Sequence, residues 1–343
     1  MKVAVIGREI TDMPKGIVAA LKDFEIEAFL VPLTEFYRGC SYWQRKLYKL
    51  GYKNLEIEYN NALIKSIKDK CDEINPDFIL VLDGVEATIP MLEALSEHKL
   101  VLYMWDVLAE FPEFAERCRH YEYIFAFEEK DTAIIKNRYR YTNCSYLPVG
   151  YDKHIYYPQK IPYKYDISFI GIPKDNRLEI LDKVAVIANE RNLSMKIGGP
   201  WYDKNHFWKK QQFQSKHPYL APYIDNKNFS SEECADIYRK SKICLNINAG
   251  GRSSLNPRTF DILATKSFQI MNAGYNAHGV IDLDKSLVQY EDIEDLIAKI
   301  LYYLENDDER QKFSCYGYKQ AQKLSMTAIM EKMLGFLQHK RII

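Results

Sequence analysis

No stretch of this sequence is apolar for long enough to cross a membrane. The opening Met1-Lys-Val-Ala-Val-Ile-Gly7 is too short an apolar run for a secretory signal and reads as a strand. Seven cysteines are scattered with no Cys-x-x-Cys pair, and their number is odd. That argues against a disulfide framework and against a zinc site, and it fits reduced thiols in a cytoplasmic protein. Net charge is also missing: 47 Lys and Arg balance 47 Asp and Glu, so no global field draws the chain to nucleic acid. None of the seven histidines has metal-ligand spacing with another. Gly7-Arg8-Glu9 breaks the Gly-x-Gly-x-x-Gly pattern after the first apolar run, so a dinucleotide fingerprint is lacking.

What remains is a soluble globular composition, in a chain of 343 residues that is long for a single core. Short apolar runs alternate with helical patterns. Runs at 3–7, 26–31, 78–82, 100–104 and 123–127 predict five strands, with helices over 14–23, 54–73 and 88–95. Such alternation argues for a parallel sheet covered by helices on both faces. Ligands of such sheets lie beyond the carboxyl ends of the strands. Arg8, Asp83, Asp106 and Glu128 fall there, and Trp105 is beside them. Tyr37–Tyr52 is aromatic and basic, and reads as a surface loop with a short helix. It is either a solvated face or a flap toward an acceptor or a lipid head group.

The segment 146–158, with two prolines and a glycine, reads as a crossing between domains. After it the pattern restarts. Strands are expected at 166–170, 194–197, 220–224, 243–247, 267–271 and 287–290. Helices are expected over 231–240, 293–304, 308–324 and 326–338. Within this half, Asn246-Ile-Asn-Ala-Gly-Gly-Arg-Ser-Ser-Leu-Asn-Pro-Arg-Thr-Phe-Asp-Ile-Leu-Ala264 reads as strand end, glycine loop and helix start. Gly250 and Gly251 allow a tight backbone. Asn256 is a good N-cap, with Pro257 at the first helical position. A helix opening there favours an anion. Arg258 and Asp261, three apart, share a face: a cation and a carboxylate that suit a phosphate joined to a ribose, or simply an ion pair on a capped helix.

Four local matches give this chain a resemblance. Leu147-Pro-Val-Gly-Tyr-Asp152 with Tyr157-Pro158, Ile167-Ser-Phe-Ile-Gly171 with Arg177, Ser254-Leu-Asn-Pro-Arg-Thr-Phe-Asp-Ile-Leu-Ala264, and 295–310 together resemble glycosyltransferases of GT-B fold. The similarity is to the branch that includes the spore maturation protein CgeB-like enzymes. The resemblance implies an α/β chain with two Rossmann-like αβα domains facing across a cleft. Residues 1–152 would form the acceptor-side domain and 153–325 the nucleotide-sugar domain, with a helix over 326–343 returning to the first. It implies a donor site of Gly171, Arg177, Tyr223, Asn256, Arg258, Thr259 and Asp261, and acceptor-side roles for Arg8 and Trp105. Asp261 stands where the family has a glutamate on the ribose hydroxyls. Ser253 stands where many retaining relatives have a second glutamate, and Thr265-Lys266 replaces a glycine. Stereochemistry therefore does not carry over.

Transfer of a glycosyl group leaves a diphosphate whose new charge needs preorganised donors. In this fold helix N–H groups and arginines supply them, so no metal and no cofactor is expected. Arg258 and Arg177 are the candidates; the alternative for Arg177 is a solvated surface charge. Tyr223 is read as following a strand at the rim where the base lies, or as a plain strand-end tyrosine. Asp106, then Asp83, are the candidate bases for an inverting reaction; a helix cap and a turn are their plainer readings. The expected function is transfer of a sugar from a UDP-sugar to a glycan, lipid-linked or protein acceptor, as part of cell-surface glycan biosynthesis. Nucleic acid is not expected as a partner, and peripheral membrane contact stays open. A sugar-nucleotide epimerase of the same fold and a non-catalytic sugar-nucleotide-binding module are the competing readings.

Overall fold

The computed structural model describes residues 1–8, 12–34, 36–111, 113–203, 205–248 and 253–343. The chain divides into two compact units, Met1–Pro148 with Met326–Ile343, and Val149–Ser325.

The first unit contains β1 (Lys2–Gly7), β2 (Glu27–Pro32), β3 (Phe78–Leu82), β4 (Leu100–Met104), β5 (Tyr123–Ala126) and β6 (Cys144–Tyr146). They form one sheet in the order β2-β1-β3-β4-β5-β6, and every neighbouring pair is parallel. Every residue of β3 and β4 is buried, which is why Phe-Ile-Leu-Val-Leu and Leu-Val-Leu-Tyr-Met show no polar alternation. The order reverses between β1 and β3, so the crevice beyond their carboxyl ends is where a ligand fits. Helix Met326–His339 belongs to this unit. Phe336 packs on Tyr123 (centroids 4.9 Å apart) and Phe125 (5.7 Å), and Thr327 donates a 2.8 Å hydrogen bond to Asp23.

The second unit contains β7 (Tyr165–Ile170), β8 (Met195–Gly198), β9 (Ile224–Asp225), β10 (Ser241–Asn246), β11 (Gln269–Asn272) and β12 (Val288–Tyr290). Its order is β12-β11-β10-β7-β8-β9, again all parallel, with the reversal between β7 and β10. Helices Arg177–Glu190 and Ile293–Glu305 cover the apolar core built on Phe169, Ile243 and Leu245.

Several expectations are corrected. The run 220–224 is not a strand: Ala221–Tyr223 is a 3-10 turn, and only Ile224–Asp225 pairs. Pro222 lacks the N–H that a ladder needs. Helix Ser231–Arg239 is capped by Ser230, whose hydroxyl accepts from Glu233 N–H in a capping box. The strand β6 and the helices Glu129–Asn137 and Phe207–Lys216 were not anticipated. Helix Phe207–Lys216 buries only Phe213, so it has little apolar stripe to detect. Tyr37–Tyr52 holds two helices, Phe36–Gly39 and Tyr42–Lys49, the second opened by a Ser41/Gln44 capping box and burying no residue. All seven cysteines are free thiols. Among the described residues, no helix is long and apolar enough to cross a membrane.

Gly199 shows how closely the strand ends approach. Its φ is +138°, and a Cβ there would sit 2.0 Å from the carbonyl oxygen of Gly171. Gly199→Ala should therefore lower unfolding stability by about 2–4 kcal/mol, read from urea denaturation, whereas a surface change would cost under about 0.5 kcal/mol.

Candidate functional site

The reversal point of the second sheet is crossed by a buried cation. Arg177 opens its helix, and its side chain lies under the loops that follow β7 and β10. Its Nε–H donates to the carbonyl of Ile247 at 2.8 Å, and Nη1 donates to that of Ile172 at 3.3 Å. The guanidinium also lies 5.7 Å from the Phe169 ring centroid. Gly171 makes room for this: a Cβ there would come within 2.8 Å of that ring. Arg177 is thus a buried cation and not a solvated charge. It ties two strand-end loops together from below.

Beside it, a network of uncharged polar groups joins β10, β11 and helix Pro257–Ala264. Asn246 is fully buried, and the two N–H bonds of its Nδ2 are shared among Gln269 Oε1 (2.9 Å), Thr259 Oγ1 (3.0 Å) and Asn256 Oδ1 (3.2 Å). Asn256 Nδ2 returns a 2.9 Å bond to Asn246 Oδ1 and another to Asn248 Oδ1. Asn248 N–H donates to Asn272 Oδ1 at 2.8 Å. Buried amides of this kind are usually paired, and here most are paired with one another; Asn248 Nδ2 and Gln269 Nε2 have no hydrogen-bond partner among the described residues. None of Asn246, Asn248, Gln269 and Asn272 was among the expected site residues. The signal was there, since Asn is disfavoured in strands and Asn246 and Asn248 end an apolar run.

The helix start is more closed than its sequence suggests. Asn256 is the N-cap, and its Oδ1 takes the Thr259 N–H at 3.0 Å. Pro257 has no N–H to give. That leaves Arg258 N–H, among the first three helical residues, as the donor without a partner among the described residues. Thr259 is fully buried within the network rather than exposed to a ligand. Gly250 and Gly251, at the loop before this helix, lie outside the described residues.

Arg258 and Asp261 are both half-buried on this helix. Burial pushes the Asp261 carboxyl up to about 7; Arg258 opposes that shift, and Asp152 adds to it. Arg258 has Tyr238, Asp261 and Cys234 as electrostatic neighbours. Tyr156, itself buried, feels the charge of Asp261. Asp261 is therefore brought together with Arg258, Asp152 and Tyr156, whereas Tyr223 is elsewhere. Tyr223 precedes β9 rather than following a strand, and packs against the unit's core.

In the first unit, the residues beyond the carboxyl ends of the strands form their own cluster. Arg8, after β1, pairs with Glu86, in the loop after β3, so an ion pair spans the reversal point. Asp83 and Gly84 both have positive φ, +65° and +85°, and Asp83 N–H donates to Tyr103 O at 2.8 Å. A turn is the geometry they serve. Trp105 follows β4 and stands edge-on to Tyr103 at 5.8 Å. Its indole N–H is buried with no hydrogen-bond partner among the described residues. Asp106 is half-buried beside it and caps no helix. Glu128 is fully buried at the start of helix Glu129–Asn137.

Comparison with known proteins follows the same outline. Residues 177–334 match a family model described as glycosyl transferase-like. The chain is 22% identical over 271 residues to spore protein CgeB of Bacillus subtilis, covering 73% of this chain and 79% of that protein. It superposes on HepE from Anabaena, solved in complex with UDP-glucose, with a TM-score of 0.69, 11% identity and coverage of 99% and 100%. Sucrose-phosphate synthase from Thermosynechococcus elongatus gives 0.67, with 11% identity and coverage of 100% and 99%. A protein described as a putative UDP-N-acetylglucosamine 2-epimerase, from Listeria monocytogenes, gives 0.62, with 12% identity and coverage of 100% and 97%. These likenesses establish the GT-B fold.

The raised carboxyl has a measurable consequence. Burial raises the Asp261 carboxyl to about 7 in the folded chain, against an ordinary value of 3.8 once unfolded. Its contribution to stability is thus present below about pH 4 and lost as pH rises toward 7. Asp261→Asn should remove that loss. The variant should gain stability over the parent between pH 4 and 7, measured by urea denaturation across that range; a pH-independent difference would count against a raised carboxyl.

Proposed function

We propose, for a chain that is a CgeB-like glycosyltransferase of GT-B fold, that it moves a sugar from a UDP-sugar to a glycan, lipid-linked or protein acceptor. The observation that carries the donor half is the group at helix Pro257–Ala264: one open N–H, a charged Arg258 and a carboxyl at Asp261, held by a rigid amide network. In this reading Arg258 takes the diphosphate and Asp261 accepts from the ribose hydroxyls. A diphosphate met by a guanidinium and a helix start needs no metal in our proposal. Arg177 and Asn256 hold the loop and the helix in place and do not touch the donor. HepE, a likeness in fold, was solved with UDP-glucose, which favours UDP among the nucleotides.

In the first unit, Asp106 serves as base or orienter of the acceptor hydroxyl. Trp105 offers the same hydroxyl an unpartnered indole N–H. Arg8 is engaged with Glu86, so its acceptor-side role is to hold the reversal-point loops. A cytoplasmic chain with peripheral membrane contact fits helix Tyr42–Lys49. Tyr42 and Trp43 are each 67% exposed there, and Arg45, Lys46 and Lys49 accompany them with no acidic residue in the helix. That placement would suit work on cell-surface glycans. The competing epimerase reading has one supporting likeness in fold.

The first experiment is a thermal-shift screen of nucleoside diphosphates and nucleotide sugars, in which UDP should raise the melting temperature. Asp261→Ala should then abolish nucleotide binding in calorimetry; unchanged affinity removes the ribose assignment. Because an ionised carboxylate is the better acceptor, UDP affinity should rise with pH through about 7 in the parent but not in Asp261→Asn. Asp106→Asn should reduce turnover by about 10²-fold or more with donor affinity intact. Incubation with UDP-N-acetylglucosamine and no acceptor separates the readings: an epimerised sugar would displace transfer as the conclusion.

A further inference from the structure

A second polar site lies at the other ends of the strands from Asn256–Asp261. It is a cavity of about 510 Å³ at the amino ends of β7, β10 and β11, lined by Pro158–Ile161, Tyr163, Arg239, Thr265–Ser267 and Gln311. Lys160, Arg239 and Lys266 all line it, and no carboxylate does. None of the three is in an ion pair among the described residues. The acidic neighbours are committed elsewhere, Asp236 to Lys240 at 2.7 Å and Asp307 to Arg310 at 2.5 Å.

Arg239 is built in rather than loose. Its Nε donates to Tyr157 O at 2.8 Å and its Nη2 to Ile155 O at 2.5 Å, and the guanidinium stacks 4.5 Å from the Tyr157 ring. Nη1 is left without a partner among the described residues. Burial pulls the guanidinium below its ordinary pKa, with Tyr157 and Asp236 opposing the shift. Tyr163 accepts from Gln311 at 3.5 Å, which leaves its own O–H to donate. The carbonyl ends of helices Ser231–Arg239 and Pro257–Ala264 offset part of the positive charge, about half a unit each.

Lys266 supplies the independent observation. It follows the C-cap Thr265 with φ of +59°, a left-handed position that glycine takes without strain. A non-glycine residue costs about 1 kcal/mol there. Strain of this kind is kept where the side chain serves something. Here the side chain is an ammonium at the cavity.

We propose that this cavity binds a phosphate monoester, the chemistry shared by a sugar phosphate and the headgroup of phosphatidic acid. Two ammonium groups and the spare N–H of an anchored guanidinium take the phosphate, and Tyr163 with Gln159 and Gln311 meets hydroxyls. The site is separate from the proposed donor site, and its test does not depend on glycosyl transfer.

The test is calorimetry of the full chain with glucose 6-phosphate, with and without saturating UDP, alongside co-sedimentation with phosphatidylcholine vesicles carrying phosphatidic acid. Saturable binding that persists in UDP is expected, and the arm that binds identifies the source of the phosphate. Lys160→Gln and Lys266→Gly should each weaken it about tenfold. Lys266→Gly should melt no lower than the parent, because glycine relieves the left-handed residue, so weaker binding there is not misfolding. UDP affinity should be the same in both variants. Absence of saturable binding in both arms, equal affinity in parent and variants, or displacement by UDP would each overturn the proposal. Phosphate binding of the expected kind in a chain that takes no UDP keeps this site and removes the donor reading.

Discussion

The arrangement of the second unit depends on one buried side chain. Asn246 ends the central strand β10, and its amide reaches β11 through Gln269 and helix Pro257–Ala264 through Asn256 and Thr259. Asn246, Thr259 and Gln269 are removed from water, and a polar atom left unpaired there costs about 1–3 kcal/mol, as Gln269 Nε2 is among the described residues. A half-made network would be worse than an apolar core. That constraint fixes the helix start against the strand ends, and the positions of Arg258 and Asp261 follow from it. Arg177 works in parallel at the reversal of strand order, joining the loops after β7 and β10 by their carbonyls.

The chemistry of the site differs in kind from its first appearance. A capped helix with Asn and Pro at its start looks like a fan of free N–H groups. In the fold the cap consumes one of these and proline removes another, so the positive character passes mainly to Arg258. Asp261 is also not an ordinary surface carboxylate. Burial holds it near neutrality, where a change of protonation alters what it can accept or donate. The first unit shows a comparable division. Arg8 and Asp83 are drawn into an ion pair and a left-handed turn, while the Trp105 indole N–H has no partner among the described residues.

Most of the strands were legible because parallel sheets bury both faces, and Phe78–Leu82 or Leu100–Met104 leave little else to be. The failures have local causes. Helix Phe207–Lys216 buries one residue and Tyr42–Lys49 none, so neither has a stripe for periodicity to find. The short β6 carries only three residues, and Pro222 broke the run that read as a strand. At the site, Asn256 was legible as a cap because capping is local, between residues three apart. The partners that hold it are 8 and 10 residues away, and Gln269 is 23 from Asn246, so they were not.

The sequence by itself determined the alternation of strands and helices, the family signature from Ser254 to Ala264 and the balance of charge. Each of these is carried by neighbouring residues or by simple sums. Only the tertiary structure decided which polar groups are spent. Arg177 became a buried strap, Thr259 a network member, and Arg258 with Asp261 a half-buried pair beside that network. The physical reason is that hydrogen bonding inside a core is a closed accounting among residues distant in the chain. No local pattern reports how that accounting closes. The helix at Asn256 was visible from the start, but what it can offer a ligand was set by β10 and β11 beneath it.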